Sequence, residues 1–176
     1  MRIIRPEDFL TQPWKNGGGI THEIARADKD GALLWRLSIA EVASDGPFSA
    51  FPGLSRILTV IEGAGLYLDT PGGRLDALPL QPLAFPGDLQ VASRMIDGPI
   101  RDFNVIWDDQ RLSARVTPLD GAIPACPTAS GRFYALLALT AGFAPLPAGA
   151  IGLADQFEAR PIPGFRALLA DFQTRL

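Results

Sequence analysis

Ten residues in three separated stretches carry side chains and backbone from which a recognition site for a small anion can be built. The first stretch, Pro13-Trp14-Lys15-Asn16-Gly17-Gly18-Gly19, sets a rigid aromatic ring, a cation and an amide against a run of glycines. Glycines let the main chain approach a ligand or another strand closely, so Gly17 and Gly18 join Trp14, Lys15 and Asn16 as candidate ligand contacts. The second stretch adds Arg36, Ser38 and Arg56, and the third adds Asp102 and Asn104. Arginine clamps a carboxylate through two parallel hydrogen bonds. Asn16, Ser38 and Asn104 give directional polar contacts, and Trp14 gives an apolar wall. The same residue types also fit a structural arrangement, in which Arg36 or Arg56 pairs internally with Asp102 and Trp14 packs in the core.

Other chemistries find less material. A catalytic metal site needs at least three good ligands and an open position. The chain has one histidine, His22, and one cysteine, Cys126. His22 and its neighbour Glu23 point to opposite sides of a strand and cannot readily hold one ion together. No metal or other cofactor is therefore expected. Cys126, between Pro124 and Pro127, reads as a small packed side chain rather than a nucleophile. Ser38 and Ser49 have only His22 as a conceivable base. Asp45, before Gly46-Pro47, reads as a turn residue, and Phe48, Phe51 and Phe85 as core or turn packing. The enzyme alternative is an isomerase, epimerase or hydrolase in which His22 and a carboxylate move a proton.

The elements that must position these residues are strands. Gly and Pro recur every few residues, and the apolar segments between them are short and often alternate. In Leu33 to Ile39, Trp35, Leu37 and Ile39 share one face while Arg36 and Ser38 share the other. Asp102 and Asn104 likewise oppose Phe103, Val105 and Trp107. Arg56 to Ile61 and Leu66 to Leu68, joined by Glu62-Gly63-Ala64-Gly65, read as a hairpin. Phe133 to Ala154 is free of charge but broken by Gly142, Pro145, Pro147, Gly149 and Gly152, which predicts two buried strands and a turn. Phe165, Leu168, Leu169 and Phe172 fall at helical spacing and predict a short C-terminal helix. The expected class is all-β with that one helix, divided into residues 1–109, carrying the motifs, and a shorter β half over 110–176.

Three blocks taken in order give these motifs a family. Trp14-Lys15-Asn16-Gly17-Gly18-Gly19 is followed by Trp35-Arg36-Leu37-Ser38, Asp45-Gly46-Pro47-Phe48-Ser49, Phe51-Pro52-Gly53 and Arg56-Ile57-Leu58. Ala84-Phe85-Pro86-Gly87-Asp88, Asp97-Gly98-Pro99 and Asp102-Phe103-Asn104-Val105 complete the set. Over roughly residues 10–107 this order resembles the HutD/Ves family of the cupin superfamily. The resemblance implies a cupin (RmlC-like) β-barrel in a two-part, bicupin-like arrangement. It also implies an accessory or regulatory protein of histidine utilisation that binds an acidic intermediate such as urocanate or formiminoglutamate. Two departures bear on the ligand: Ser55 stands where the family typically carries an acid, and Ile106-Trp107-Asp108-Asp109 stands where basic residues often follow.

Bulk properties narrow the partners. With 176 residues, a net charge of -3 and no basic run, the chain lacks an electrostatic footprint for nucleic acid. The interrupted apolar segments exclude a membrane-spanning helix. The N-terminus has no apolar signal core and a lone cysteine forms no internal disulfide, so a reducing cytoplasm is expected. Homodimerisation is the default expectation for a fold whose edge strands need covering. The count of metal-binding residues gives a direct test: the protein purifies without stoichiometric transition metal and keeps its fold in chelator, as checked by elemental analysis and circular dichroism. One zinc, iron or manganese per chain, removed together with the fold or with ligand binding, would contradict it.

Overall fold

The computed structural model describes residues 1–175. Among them there are strands and a single 3-10 turn at Pro6–Asp8 but no α-helix, and no helix long and apolar enough to cross a membrane. The chain divides into two compact units, Leu10–Asp109 and Met1–Phe9 with Gln110–Leu176. Strands are numbered β1 to β15 along the chain.

The unit Leu10–Asp109 holds two sheets. The larger runs, in spatial order, β2 (Leu10–Pro13), β3 (Gly19–Lys29), β4 (Ala32–Val42), β11 (Ile100–Trp107), β6 (Ser55–Glu62) and β9 (Leu83–Pro86). The smaller runs β5 (Gly46–Pro47), β10 (Ala92–Met95), β7 (Leu66–Thr70) and β8 (Gly73–Ala77). Both are open, ending at β2 and β9 and at β5 and β8, rather than hydrogen-bonded into a closed cylinder. Their facing apolar residues form one core: Ala40, Val42, Leu58 and Val60 from the larger sheet meet Leu66, Leu68 and Ala77 from the smaller. Burying such aliphatic side chains stabilises a fold by roughly 1.5 to 3 kcal/mol each before entropic costs.

The hairpin expected over Arg56 to Leu68 does not form. β6 pairs with β11 and β9, whereas β7 pairs with β10 and β8, so the chain changes sheets between them. Gly63 and Gly65 make that corner with φ of 91° and 114°. A Cβ on Gly63 would lie 2.7 Å from Pro99 O, and one on Gly65 would lie 2.6 Å from Ala77 O. Sequence proximity suggested pairing, but the backbone bend that only glycine tolerates here separates the strands.

The other unit is a five-stranded sheet, β1 (Arg2–Ile4), β14 (Ile151–Ala154), β13 (Arg132–Ala138), β15 (Arg160–Thr174) and β12 (Leu112–Ile123). The two strands expected within Phe133 to Ala154 are β13 and β14, paired antiparallel. Residues 1–9, grouped by the sequence reading with the first half, belong with this sheet: Arg2, Ile3 and Ile4 pair with Leu153, Gly152 and Ile151. Cys126 is buried, as its surroundings implied.

The C-terminal helix is also corrected. Residues 163–172 lie within β15, the longest strand, paired on one side with β12 and on the other with β13. The helical spacing misled because both faces of this strand are buried. Phe165, Ala167 and Leu169 enter one core cluster, while Phe172 stacks on Phe133 with ring centroids 4.5 Å apart. A strand covered on both sides shows no period of two. Ala167 separates the alternatives: on a helix it would face away from the apolar stripe, whereas in β15 it is fully buried. Ala167→Leu should therefore destabilise the protein by about 1 to 3 kcal/mol in chemical denaturation; a change within measurement error would contradict the packing described.

Candidate ligand-binding site

The register of the six-stranded sheet places the candidate polar residues on one face. Arg36, Ile106 and Arg56 lie in one row across β4, β11 and β6, and Ser38, Asn104 and Leu58 form the next. Ala40, Asp102 and Val60 form a third row. The alternation read from the sequence thus brings Arg36, Ser38, Asp102 and Asn104 to the same side. Above these rows opens a cavity of about 640 Å³, walled by Arg36, Ser38, Ala40, Arg56, Asn104 and Ile106 and by loop residues including Trp14, Lys15, Asn16, Phe48 and Phe51.

The β2–β3 loop is shaped by its own hydrogen bonds. Gly17 N donates to Trp14 O at 3.0 Å, Trp14 N to Gly19 O at 2.9 Å, and Gly18 N to the Asn16 side-chain oxygen at 2.9 Å. Gly17 takes φ 73°. Neither Gly17 nor Gly18 lines the cavity; they fold the loop that presents Trp14, Lys15 and Asn16. Gly19 has the tightest surroundings of the three, since a Cβ there would stand 2.4 Å from Glu41 O and 3.1 Å from the Trp14 ring. Trp14 lies over that bare backbone, donates its indole N–H to Thr21 Oγ1 at 2.8 Å, and meets Phe48 edge-on with centroids 6.2 Å apart.

Phe51 reaches the wall through the Phe85-Pro86-Gly87 block. Phe51 N donates to Gly87 O and Gly87 N to Leu54 O, both at 2.7 Å, in a contact too close for a side chain at Gly87. Phe48 and Phe51, read from sequence as core or turn residues, thus line the cavity. Phe85 is core, and the Arg56 guanidinium carbon lies 4.9 Å from the Phe48 ring centroid and 5.5 Å from that of Phe85.

The two arginines have different partners. Arg36 Nε donates to Glu23 Oε2 at 2.6 Å, a part-buried ion pair from β4 to β3. Glu23 was weighed in the sequence reading only beside His22 and not as a partner of Arg36. It reaches Arg36 because a bulge between Glu23 and Ala25 shifts the register and sets Glu23 opposite Ser38. Arg56 is only 7% exposed. Its Nε and Nη2 both donate to Asn104 Oδ1, at 2.9 and 2.6 Å. The other end of that amide donates from Nδ2 to Asp102 Oδ1. Both neighbours require this amide orientation, since a guanidinium only donates and an ionised carboxylate only accepts.

Asp102 shares a row with Ala40 but does not itself line the cavity; it is fully buried, its Oδ2 without a hydrogen-bond partner among the described residues. Burial pushes its carboxyl up to about 6, while the charge of Arg56 and the Asn104 hydrogen bond pull the other way. Burial lowers the pKa of Arg56, Asp102 raises it and Arg36 lowers it further. The internal pairing considered for either arginine with Asp102 takes a third form: Arg36 pairs with Glu23, and Arg56 reaches Asp102 through Asn104.

His22 lies on the opposite face of the sheet, between Thr11 Oγ1 at 2.9 Å and Glu41 Oε1 at 3.1 Å, and it does not line the cavity. The cavity also does not fit a metal ion of the kind many cupins hold. Its wall carries two guanidinium groups and no histidine, cysteine or carboxylate, the Glu23 carboxylate is held by Arg36, and among the described residues no three metal-binding side chains cluster. The departures at Ser55 and Asp109 meet each other, Ser55 Oγ donating to Asp109 Oδ2 at 2.6 Å, and neither lines the cavity.

Comparison with known proteins agrees with the architecture. A family model described as HutD matches residues 6–150. A Pseudomonas putida protein described as an uncharacterized 21.2 kDa protein in the hutC 3' region is 43% identical over 124 residues, covering 69% of this chain and 65% of that protein. The structure of HutD from Pseudomonas fluorescens, in a formate condition, superposes with a TM-score of 0.85 at 35% identity over 99% of both chains. The Escherichia coli pirin YhhW, a cupin-fold protein solved with nickel(II), shares the fold alone, with a TM-score of 0.68 at 8% identity over 97% of each chain.

The buried carboxyl generates a stability test. A pKa raised from 3.8 to about 6 means that the folded state holds a proton the unfolded chain releases, so the cost of burying Asp102 is fully present above about pH 6 and disappears as pH falls below the unfolded value. Asp102→Asn keeps an acceptor for Asn104 and removes that cost. It should stabilise the ligand-free protein by about 1 to 3 kcal/mol at pH 7.5, with the difference from wild type shrinking toward zero near pH 4 in denaturant titrations. A variant less stable than wild type by the same amount at every pH would contradict this account of Asp102.

Proposed function

The chain belongs to the HutD family, and from that membership we propose that it is a small-molecule-binding protein whose cavity takes an anionic metabolite. The observation that carries the proposal is the partner of Arg56. A buried guanidinium ordinarily has a carboxylate in contact, because leaving its charge unpaired costs several kcal/mol. Here both hydrogen bonds of Arg56 go to one neutral amide oxygen, and the nearest acid stands a residue further on. A ligand carboxylate entering the cavity supplies the missing charge-assisted bonds. Arg36 and Lys15 add positive potential from the same walls, Ser38 and Asn16 offer polar contacts, and Trp14, Phe48 and Phe51 enclose an apolar or aromatic body.

We further propose an accessory or regulatory role in histidine utilisation, with urocanate or formiminoglutamate as the ligand class. The Pseudomonas putida relative lies in a hutC 3' region, and formate, the component of the Pseudomonas fluorescens HutD structure's condition, is the smallest carboxylate. Urocanate matches the cavity in kind, with one carboxylate joined through a planar vinyl group to a flat imidazole ring.

Calorimetric titration with urocanate, formiminoglutamate and formate tests the reading. At least one should bind, and Arg56→Lys should weaken it by about 1 to 3 kcal/mol although the charge is kept, because the planar two-donor fork is lost. Arg36→Lys should weaken binding less, since Arg36 already has a carboxylate, that of Glu23, as its counter-charge. Heat from none of the three carboxylates, or binding indifferent to both substitutions, would count against the proposal.

A further inference from the structure

If the cavity is an anion site, Asp102 occupies a position from which it senses the anion without touching it. It has no exposed surface, and it shares the sheet face of Asn104 and Ile106, two rows beneath Arg56 with the row of Asn104 between them. Its two oxygens differ. Oδ1 accepts the Asn104 amide N–H, whereas Oδ2 is buried with no hydrogen-bond partner among the described residues. The amide so held turns its oxygen to both donors of Arg56. Carboxylate, amide and guanidinium therefore form one relay from the interior to the cavity wall.

The groups around this relay leave it a single strong charge contact. Beside Asp102 in its row stand Ala40 of β4 and Val60 of β6, and the opposing sheet brings Leu66 and Leu68 to the same core, so none of these titrates. Arg36 of β4 is turned to Glu23 of β3, and Lys15 belongs to the β2–β3 loop at the cavity wall. Arg56 is the charge that acts on Asp102. With no ligand, Asp102 is the resident counter-charge of Arg56. An anion seated against the guanidinium takes over that part, and the carboxylate left behind is a buried charge with nothing to balance it.

We propose that Asp102 is a positioning residue of the cavity, holding Asn104 and through it aiming Arg56, and that ligand binding drives protonation of its free oxygen. The step balances simply: one proton leaves the buffer, an O–H bond forms on Oδ2, and no electrons are transferred. Oδ1 remains an acceptor for Asn104, so the relay keeps its shape while its charge moves from the acid to the ligand. Burial already holds this carboxyl well above the ordinary aspartate range, which puts proton uptake within reach near neutral pH. The inference rests on the anion-binding reading and adds a proton to it.

The test is calorimetry of the full chain with formate and benzoate, carboxylates that are themselves ionised above pH 6, in buffers of different ionisation enthalpy. Wild type should take up a proton on binding at pH 7, up to about one per ligand. Its affinity should rise by up to about tenfold per pH unit as pH falls from 8 to 6. Asp102→Asn should bind at least as tightly at pH 7.5, with no proton uptake and no pH slope. Asp102→Ala should bind more weakly at every pH, because nothing then holds the amide. Carboxylate binding to wild type without proton uptake, or uptake that survives in Asp102→Asn, overturns the proposal. If neither probe binds wild type at any pH, the anion-site reading itself has failed and the proton coupling falls with it.

Discussion

A buried guanidinium in contact with no carboxylate is the constraint around which the Leu10–Asp109 unit is arranged. Moving a cation out of water costs several kcal/mol even after relaxation, and Arg56 is 7% exposed. Three features meet that cost in part. Asn104 accepts two of its hydrogen bonds, the Phe48 and Phe85 rings flank its guanidinium, and Asp102 lends a charge from one residue away. None supplies the direct two-oxygen contact for which the guanidinium fork is built. A small carboxylate would, and that is the ground on which we propose that the arrangement is a receptor rather than a strand-to-strand tie.

The surrounding architecture follows from holding that group in place. A six-stranded sheet with three adjacent strands in register puts Arg36, Asn104 and Arg56 within two neighbouring rows. The smaller sheet seals the deeper part with aliphatic side chains, lowering the local dielectric and making each charge contact count for more. Close backbone approaches fix the rim. Gly19 lets Trp14 lie on the main chain, and Gly87 lets the Phe51–Leu54 turn dock on the end of β9. A cavity set in this way is preformed, so a ligand does not have to order it on binding. The positive charge of Lys15, Arg36 and Arg56 on its walls also makes this cavity a poor place for a metal cation.

Much of this was legible in the sequence because strands announce their faces. Alternation alone put Arg36 with Ser38 and Asp102 with Asn104, and the structure brings all four to one side. Three things were not legible. Glu23 reaches Arg36 only through a bulge, and a one-residue insertion shifts the pairings up to the next irregularity, between Ala27 and Asp28, without leaving a mark in composition. The glycines after Glu62 looked like a hairpin turn, yet they redirect the chain to another sheet, a distinction that depends on contacts with Pro99 and Ala77 far along the chain. Phe165 to Phe172 imitated a helix because a strand buried on both faces loses its period. The partner of Arg56 was likewise half visible. Asp102 was the acid expected beside an arginine, but which arginine, and that an amide would stand between them, depended on the register of β6 against β11.

The central claim, that Arg56 is the group that receives a ligand carboxylate, can be observed at its own atoms. Nitrogen-15 NMR of the arginine side chains, assigned with an Arg56→Lys variant, follows the Arg56 Nε–H directly. The account predicts a resonance protected from solvent exchange before ligand, because that N–H is buried and bound to Asn104, and a saturable shift of this signal on titration with urocanate, larger than that of any other arginine. An Arg56 signal that stays fixed while urocanate or any other carboxylate binds and moves a different set of residues would contradict it.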